Sequence, residues 1–262
     1  MNTHQCNIST LGSDIKTNQL LASLPKPDLD RLRPNLQIVQ LHHKDVLCDL
    51  GSTPIYVYFP TTAIISLLHI SPAGETSETA VIGNDGVVDL SLFMDAKTAP
   101  HQTIVQSQGQ AFRLRGNIAR EEFNRGGALI GLLLHYTQAL IAQMAETVGD
   151  LRHRSLQQRL CRRLLQNLDR LNTNEIEMTH EMMAALLGVR RESVSAAAFK
   201  LQSIGVIRYS RGHIAVLDYQ RLAYLACNDV EAPSRVKPHS IPHSIPHSIH
   251  RSTHQSMQIS AA

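Results

Sequence analysis

Thr179-His180-Glu181-Met182-Met183-Ala184-Ala185-Leu186-Leu187-Gly188-Val189-Arg190-Arg191-Glu192-Ser193-Val194 reads as two short helices meeting at a glycine. Thr179 is a good N-cap, and Glu181 places a negative charge in the first turn, where it complements the helix dipole. Gly188 supplies the positive φ that a tight inter-helix turn needs. Packing two helices across such a turn demands apolar side chains at fixed offsets. Met183, Leu187, Val189, Val194 and Ala197 meet that demand, with the small Ala184 where the helices come closest. The pattern is that of a helix-turn-helix.

The second helix then carries Arg190, Arg191, Glu192, Ser193 and Ser195 at its N-terminal end and outer face, the positions from which a recognition helix reaches base edges in the major groove. Arginine can bond bidentately to guanine, glutamate can accept from cytosine, and serine can reach phosphate. The plainer alternative is a surface pairing of Arg191 with Glu192. Ala196, Ala197 and Ala198 permit close approach to a backbone or a thymine methyl but add no polar readout. After Gly205, the run Val206 to Leu217 reads as a β-hairpin turning near Arg211-Gly212. Arg208, Arg211 and His213 on this wing can touch phosphates, or simply be solvated. Thr179, at the start of the first helix, joins the candidate DNA contacts.

Working outward, Ser155 to Leu171 reads as a helix with Leu156, Leu160, Leu164 and Leu168 on one stripe and Arg159, Arg162, Arg163 and Arg170 on a mostly solvated face. Before it, following Gly126 and Gly127, a long helix is predicted from Ala128 to Arg152. Leu133, Leu140, Met144, Thr147 and Leu151 occupy a/d-like positions along it, with Thr137 as a weak member, and form a candidate dimerisation seam. The alternative is a helix packed only on its own β-domain.

From about Leu36 to Leu114 the pattern changes to short β-rich runs: Val46 to Cys48, Ile55 to Phe59, Ala63 to Ile70, Thr79 to Ile82, Ile104 to Gln106 and Gln110 to Leu114. No helices of 10–15 residues are read between them, which favours a jelly roll over a parallel α/β sheet. Residues 11–34 hold short helical patterns broken by Pro25, Pro27 and Pro34, with Leu20, Leu21, Leu24, Leu29 and Leu32 as buried anchors of a cap. The fold class is therefore α+β. Its expected parts are a β-roll sensor with a helical cap (15–127), a dimerisation helix (128–152), a winged helix-turn-helix (153–228) and a low-complexity, disordered tail (229–262).

The formal charge of +3 conceals an asymmetry. From Arg152 to Ala226 there are eleven arginines and one lysine against six carboxylates, a net of +6, which leaves −3 for the remainder. A polyanion would meet only the C-terminal half. The four cysteines, Cys6, Cys48, Cys161 and Cys227, have no zinc or C-x-x-C spacing, so reduced thiols in the cytoplasm are expected. The most apolar stretch, Ala128 to Ala142, contains His135, Thr137 and Gln138, and no membrane span is expected.

These phrases together resemble the Crp/Fnr family of bacterial regulators over roughly residues 15 to 228. The resemblance rests on Asp45-Val46-Leu47, Gly51, Val57-Tyr58-Phe59, Gly83-Asn84-Asp85-Gly86-Val87-Val88, the long helix, and Leu187-Gly188-Val189-Arg190-Arg191-Glu192-Ser193-Val194. It implies a cyclic-nucleotide-binding-like β-roll and a homodimer presenting two recognition helices to an imperfect palindrome in double-stranded DNA, about 34 Å apart. RNA polymerase is a further candidate partner. The family's base-reading positions fall on Arg191 and Glu192, but its arginine one turn later is Ala196 here, so the target sequence should differ from the family's best-known sites.

The sensor departs further. Cyclic-nucleotide-binding members use Gly-Glu-Leu and an Arg-Ser or Arg-Thr pair around the phosphate, whereas this chain has Val88-Asp89-Leu90-Ser91 and His101-Gln102-Thr103, with no arginine between Arg33 and Arg113. A partly buried phosphate without a cation is poorly compensated. This argues against cyclic AMP unless Lys44 or Lys97 is brought close, and no cofactor is identified. The iron–sulfur members' cysteine cluster is missing, since Cys6 stands alone. His42 and His43, adjacent and read as strand residues, point to opposite faces and cannot share a metal. An enzyme is therefore not expected, and neither is a metal. The repeated Pro-His-Ser-Ile from Pro238 to Ile249 cannot stack its histidines on a helix. The rival to a DNA-binding regulator is a small-molecule-binding module that acts mainly through protein partners.

Overall fold

A computed structural model describes residues 15–74, 76–94, 97–171 and 174–228 of the 262-residue chain. Cys6 and the histidine-rich segment from 229 onward, including the Pro-His-Ser-Ile repeats, lie outside the described residues.

The β-runs close into two facing antiparallel sheets. Strands β1 (Gln37–Leu41), β7 (Gly109–Arg115) and β3 (Tyr56–Pro60) form one, in the order β1-β7-β3. The other comprises β2 (Val46–Cys48), β6 (Gln102–Ser107), β4 (Ile64–Ile70) and β5 (Thr76–Ile82), in the order β2-β6-β4-β5. The roll interior is lined by Leu41, Ile65, Leu67, Ile82, Val88 and Val105. A second core lies between the first sheet and the helices, where Ile15, Leu21, Leu32, Phe59, Phe112, Leu114 and Leu129 are buried together. The cap contributes α1 (Gln19–Ala22) and α2 (Lys26–Leu32), and its anchors Leu20, Leu21, Leu24 and Leu32 are buried as read from the sequence.

Two elements are not legible in the sequence. β1 is exposed along much of its length, so its alternation is weak. Helix α3 (Gly116–Arg125) follows β7 directly and fully buries only Gly116, Ala119 and Glu122, with Ile118 and Phe123 partly buried on the second core, so its apolar stripe is too short to announce it. His42 and His43 also differ from expectation. They sit in the turn after β1, where Lys44 takes φ 71°, and the His43 ring meets the Gln106 carbonyl at 2.9 Å instead of facing across a sheet.

Helix α4 runs Ala128–His153. By length and composition it is apolar enough to cross a membrane, its most apolar 18-residue window having a mean hydropathy of 1.4. One side nevertheless packs on protein: Leu129 and Leu133 enter the second core, Tyr136, Leu140 and Met144 lie on the roll, and Gln143 donates to the Val81 carbonyl at 3.2 Å. The expected dimer seam is corrected accordingly. Leu133 is 3% exposed, and Leu140, Met144 and Thr147 are partly buried by the chain's own residues, while Leu134, Ile141, Val148 and Leu151 stand exposed. The β-roll takes the Leu133 face of α4, which removes Leu133 from the expected seam, and the face one residue further on is left uncovered together with Leu151.

The phrase Gly83–Val88 is the junction of the molecule. Gly86 carries no side chain because a Cβ there would lie 2.3 Å from the Tyr136 ring of α4. Its carbonyl accepts from Asn18 Nδ2 at 2.9 Å, which ties the cap to the same turn. Asp85 pairs with Arg170 at 2.9 Å, and the Arg170 side chain covers Gly83.

Candidate DNA-recognition surface and sensor pocket

The C-terminal domain begins with α5 (Leu156–Leu168), opened by a capping box in which Ser155 and Gln158 exchange side-chain-to-backbone bonds. The arginines of this segment are not a solvated face. Arg163 is buried against Glu78, Arg170 holds Asp85, Arg162 pairs with Asp150 at 2.6 Å, and Arg159 donates to the Leu187 carbonyl at 3.1 Å. Arg163 and Arg170 join the winged domain to the roll, Arg162 joins it to α4, and Arg159 ties α5 to the next helix, none of which a count of charges along one helix can show.

Helix α6 (His180–Leu187) is capped by Thr179, whose hydroxyl oxygen accepts from the Met182 N–H at 3.2 Å. Gly188 adopts φ 63°, ψ 40°, and α7 (Arg191–Ser203) follows. Met183 and Val194 are fully buried at the crossing, with Ala184 and Leu187 nearly so, while Val189 and Ala197 are partly buried. This apolar lock fixes one face of α7 inward and so determines what its other face presents.

Arg190, at the N-cap position, and Arg191, Glu192 and Ser193 in the first turn are all exposed. Ser195 is partly buried, and its hydroxyl lies 2.9 Å from His180 Nδ1. The His180 ring stacks on Tyr209, with centroids 3.9 Å apart and planes 19° from parallel. Ser195 is thus a link between the two helices and the wing more than an outward-facing group. The outer face of α7 also leaves Phe199 72% exposed, a candidate contact missed in the sequence because phenylalanine reads as core. Its offset of seven from Glu192 places it on the same outer face.

The wing is β9 (Ile207–Ser210) paired with β10 (His213–Val216), and β8 (Glu175–Glu177) adds a third strand against β10. Arg211 and Gly212 form a two-residue loop with φ 49° and 85°, the type I′ geometry that suits a twisted hairpin. Arg208 and Arg211 are exposed on it, and a Cβ at Gly212 would lie 3.3 Å from the Thr179 methyl. The candidate DNA-binding residues therefore come together around α7, the start of α6 and the wing, and helix α8 (Tyr219–Cys227) packs behind on α5.

The two divergent sensor phrases also converge. Asp89, Ser91, His101 and Thr103 line one cavity of about 350 Å³, whose other walls include Leu67, Ile82, Leu140 and Met144. Asp89 adopts left-handed φ 65°, ψ 48°, a strained conformation for a residue with a side chain. The Thr103 hydroxyl donates to its Oδ1 at 3.5 Å, and burial pushes the carboxyl up to about 7. Burial likewise lowers the His101 imidazole below its ordinary value. Neither Lys44 nor Lys97 lines the cavity. Among the described residues, no group of three or more His, Cys, Asp or Glu side chains is arranged to hold a metal ion.

Residues 158–225 match the family model of the Crp-like helix-turn-helix domain. No curated protein matches the chain. Among solved structures, FixK2 from Bradyrhizobium japonicum is similar with a TM-score of 0.64 at 15% identity, covering 74% of this chain and 99% of its own. A CRP/FNR-family transcriptional regulator from Thermus thermophilus has a TM-score of 0.59 at 19% identity, covering 72% and 98%. The c-di-GMP responsive global regulator CLP of Xanthomonas campestris has a TM-score of 0.57 at 12% identity, covering 73% and 99%. These identities establish the fold, and the helix-turn-helix match supplies the sequence signature within it. Residues 158–225 thus form a Crp-like helix-turn-helix domain, and the chain around it has the two-part fold of these regulators.

Proposed function

We propose that the protein is a homodimeric regulator that reads an imperfect DNA palindrome through α7 and does not use cyclic AMP. The observation that carries this reading is the accessible first turn of α7, Arg190-Arg191-Glu192-Ser193, held outward by the fully buried Met183 and Val194. Arg191 and Glu192 are the residues assigned to base edges, and Arg208 and Arg211 on the wing are assigned to phosphates. The dimer would form along the exposed row Leu134, Ile141 and Val148, which repeats every seven residues and continues to Leu151. Two copies joined there present two α7 helices to successive major-groove turns. The argument against cyclic AMP is that no arginine or lysine lines the sensor cavity. Contact with RNA polymerase belongs to the same proposal as the consequence of DNA binding.

The experiment is selection of bound duplex from a random pool with wild type and Arg191→Ala in parallel. A two-fold symmetric motif that relaxes at one base pair per half-site in the variant supports the reading. An enriched motif unaffected by Arg191→Ala removes Arg191 from base recognition, and enrichment of a single half-site by a monomer removes the dimer.

A further inference from the structure

We propose that the sensor cavity takes a small, uncharged, chiefly apolar molecule bearing one hydrogen-bond donor, which Asp89 accepts. The proposal rests on the regulator reading above and names the class of effector for its sensor.

The walls decide the charge. Leu67, Ile82, Leu90, Met94, Leu140 and Met144 give the cavity its apolar character, and none of its lining residues is an arginine or lysine. An anion entering it would lose its water and gain no cationic partner, and it would also face the Asp89 carboxyl. A neutral guest escapes both penalties.

The polar atoms decide what else the guest must carry. Asp89 Oδ2, Ser91 Oγ and His101 Nδ1 are buried and have no hydrogen-bond partner among the described residues. Buried polar groups in native proteins are rarely left unmade, so three on the lining of one cavity mark places for a partner. Asp89 is also held by a left-handed backbone that a side chain-bearing residue adopts at a cost. Its carboxyl lines the cavity, with Thr103 bonded to the other oxygen at 3.5 Å. The volume of about 350 Å³ lies within the range of small-molecule sites.

The site also reaches the helix that would join two copies. Leu140, Ile141 and Met144 of α4 all line it, and Ile141 is 61% exposed on the seven-residue row. A guest here touches the roll and α4 at once, so its binding free energy can bias the position of α4.

The test uses the full-length protein and two fluorophores sharing one skeleton: N-phenyl-1-naphthylamine, which is neutral with a single N–H, and its sulfonated counterpart 8-anilino-1-naphthalenesulfonate. The neutral probe is expected to saturate at one per chain and to bind at least about tenfold more tightly than the sulfonate, because burying the unpaired sulfonate is costly. Leu140→Trp should remove the neutral probe's site. Thr98→Arg, at an exposed position on the rim, should shift the preference at least about tenfold toward the sulfonate. Equal binding of the two probes, no saturable binding of the neutral one, or a preference unmoved by Thr98→Arg overturns the proposal. Sedimentation and DNA binding of the same wild-type preparation are measured alongside. A dimer that binds its DNA motif but fails the probe test sinks the effector class alone, whereas loss of motif binding and dimerisation sinks the regulator reading.

Discussion

The Arg163 guanidinium closes on the Glu78 carboxylate between the winged domain and the β-roll, and the two side chains are only 9% and 1% exposed. The pair is embedded in a polar circuit. The Ser66 hydroxyl lies 2.6 Å from Glu78 Oε2 and 3.0 Å from Gln106 Oε1, Gln106 donates to Asn167 Oδ1 at 2.8 Å, and Asn167 donates to the Arg163 carbonyl at 3.0 Å. Removing one member strands a buried charge, which typically costs about 3–5 kcal/mol. Arg163→Met is therefore expected to destabilise the protein by about that much, while Arg163→Met with Glu78→Leu recovers a large part of the loss. Chemical denaturation of the four proteins in the double-mutant cycle measures this. Additive effects would mean that the two side chains do not interact.

A second consequence concerns pH. Burial raises the Asp89 carboxyl from 3.8 to about 7, so the folded protein holds that proton where the unfolded chain has already released it. The stability conferred by the protonated form is complete below pH 3.8 and is lost as pH rises through 7. Burial also raises the Cys48 thiol and the Tyr58 phenol, while it lowers the lining His101, whose contribution changes with pH in the opposite sense, so the comparison with Asp89→Asn is what isolates the carboxyl. Asp89→Asn should flatten the decline in that interval relative to wild type. Thermal unfolding of both proteins from pH 5 to 8 checks this, and parallel curves would exclude Asp89 as the source.

What the sequence makes legible depends on whether a local pattern decides the structure. The helix-turn-helix can be read because Met183, Gly188 and Val194 answer to one another within a dozen residues, and the wing because Arg211-Gly212 is a short-range turn signal. The sheets can be read from β-rich runs, although exposed β1 cannot. The arginines of α5 cannot be assigned, because their partners Glu78 and Asp85 lie far away in the chain and are brought close only by the fold. The face of α4 is misassigned for the same reason. Leu133 and Leu134 are adjacent and equally apolar, and only the position of the β-roll says which is inside.

That distinction can be measured. Leu133 is 3% exposed in the intramolecular core, so Leu133→Ala should cost about 2–5 kcal/mol of stability through cavity formation. Val148 is 66% exposed, so Val148→Glu should leave the fold of the chain intact but shift the proposed dimer toward monomer by placing a charge on its apolar seam. Sedimentation equilibrium and denaturation of both variants separate the two effects. An unaltered dimer in Val148→Glu would place the interface elsewhere.

The proposed DNA surface would make two kinds of contact that salt can tell apart. Arg208 is exposed on the wing and assigned to phosphate, so Arg208→Gln should weaken binding to all sequences alike and lower the slope of log affinity against log salt by about one per half-site. Phe199 is 72% exposed on the outer face of α7 and carries no charge. If it packs against a thymine methyl, as an apolar side chain in the major groove does, Phe199→Ser should weaken binding at the preferred site by about 1–3 kcal/mol per half-site while leaving the salt slope unchanged. Fluorescence anisotropy at several salt concentrations, with the selected motif and a scrambled duplex, gives both quantities. A Phe199→Ser loss equal on both duplexes would assign the ring to the sugar-phosphate edge. No loss on either would leave Phe199 off the DNA, and an unchanged salt slope in Arg208→Gln would take the wing arginine off the phosphates.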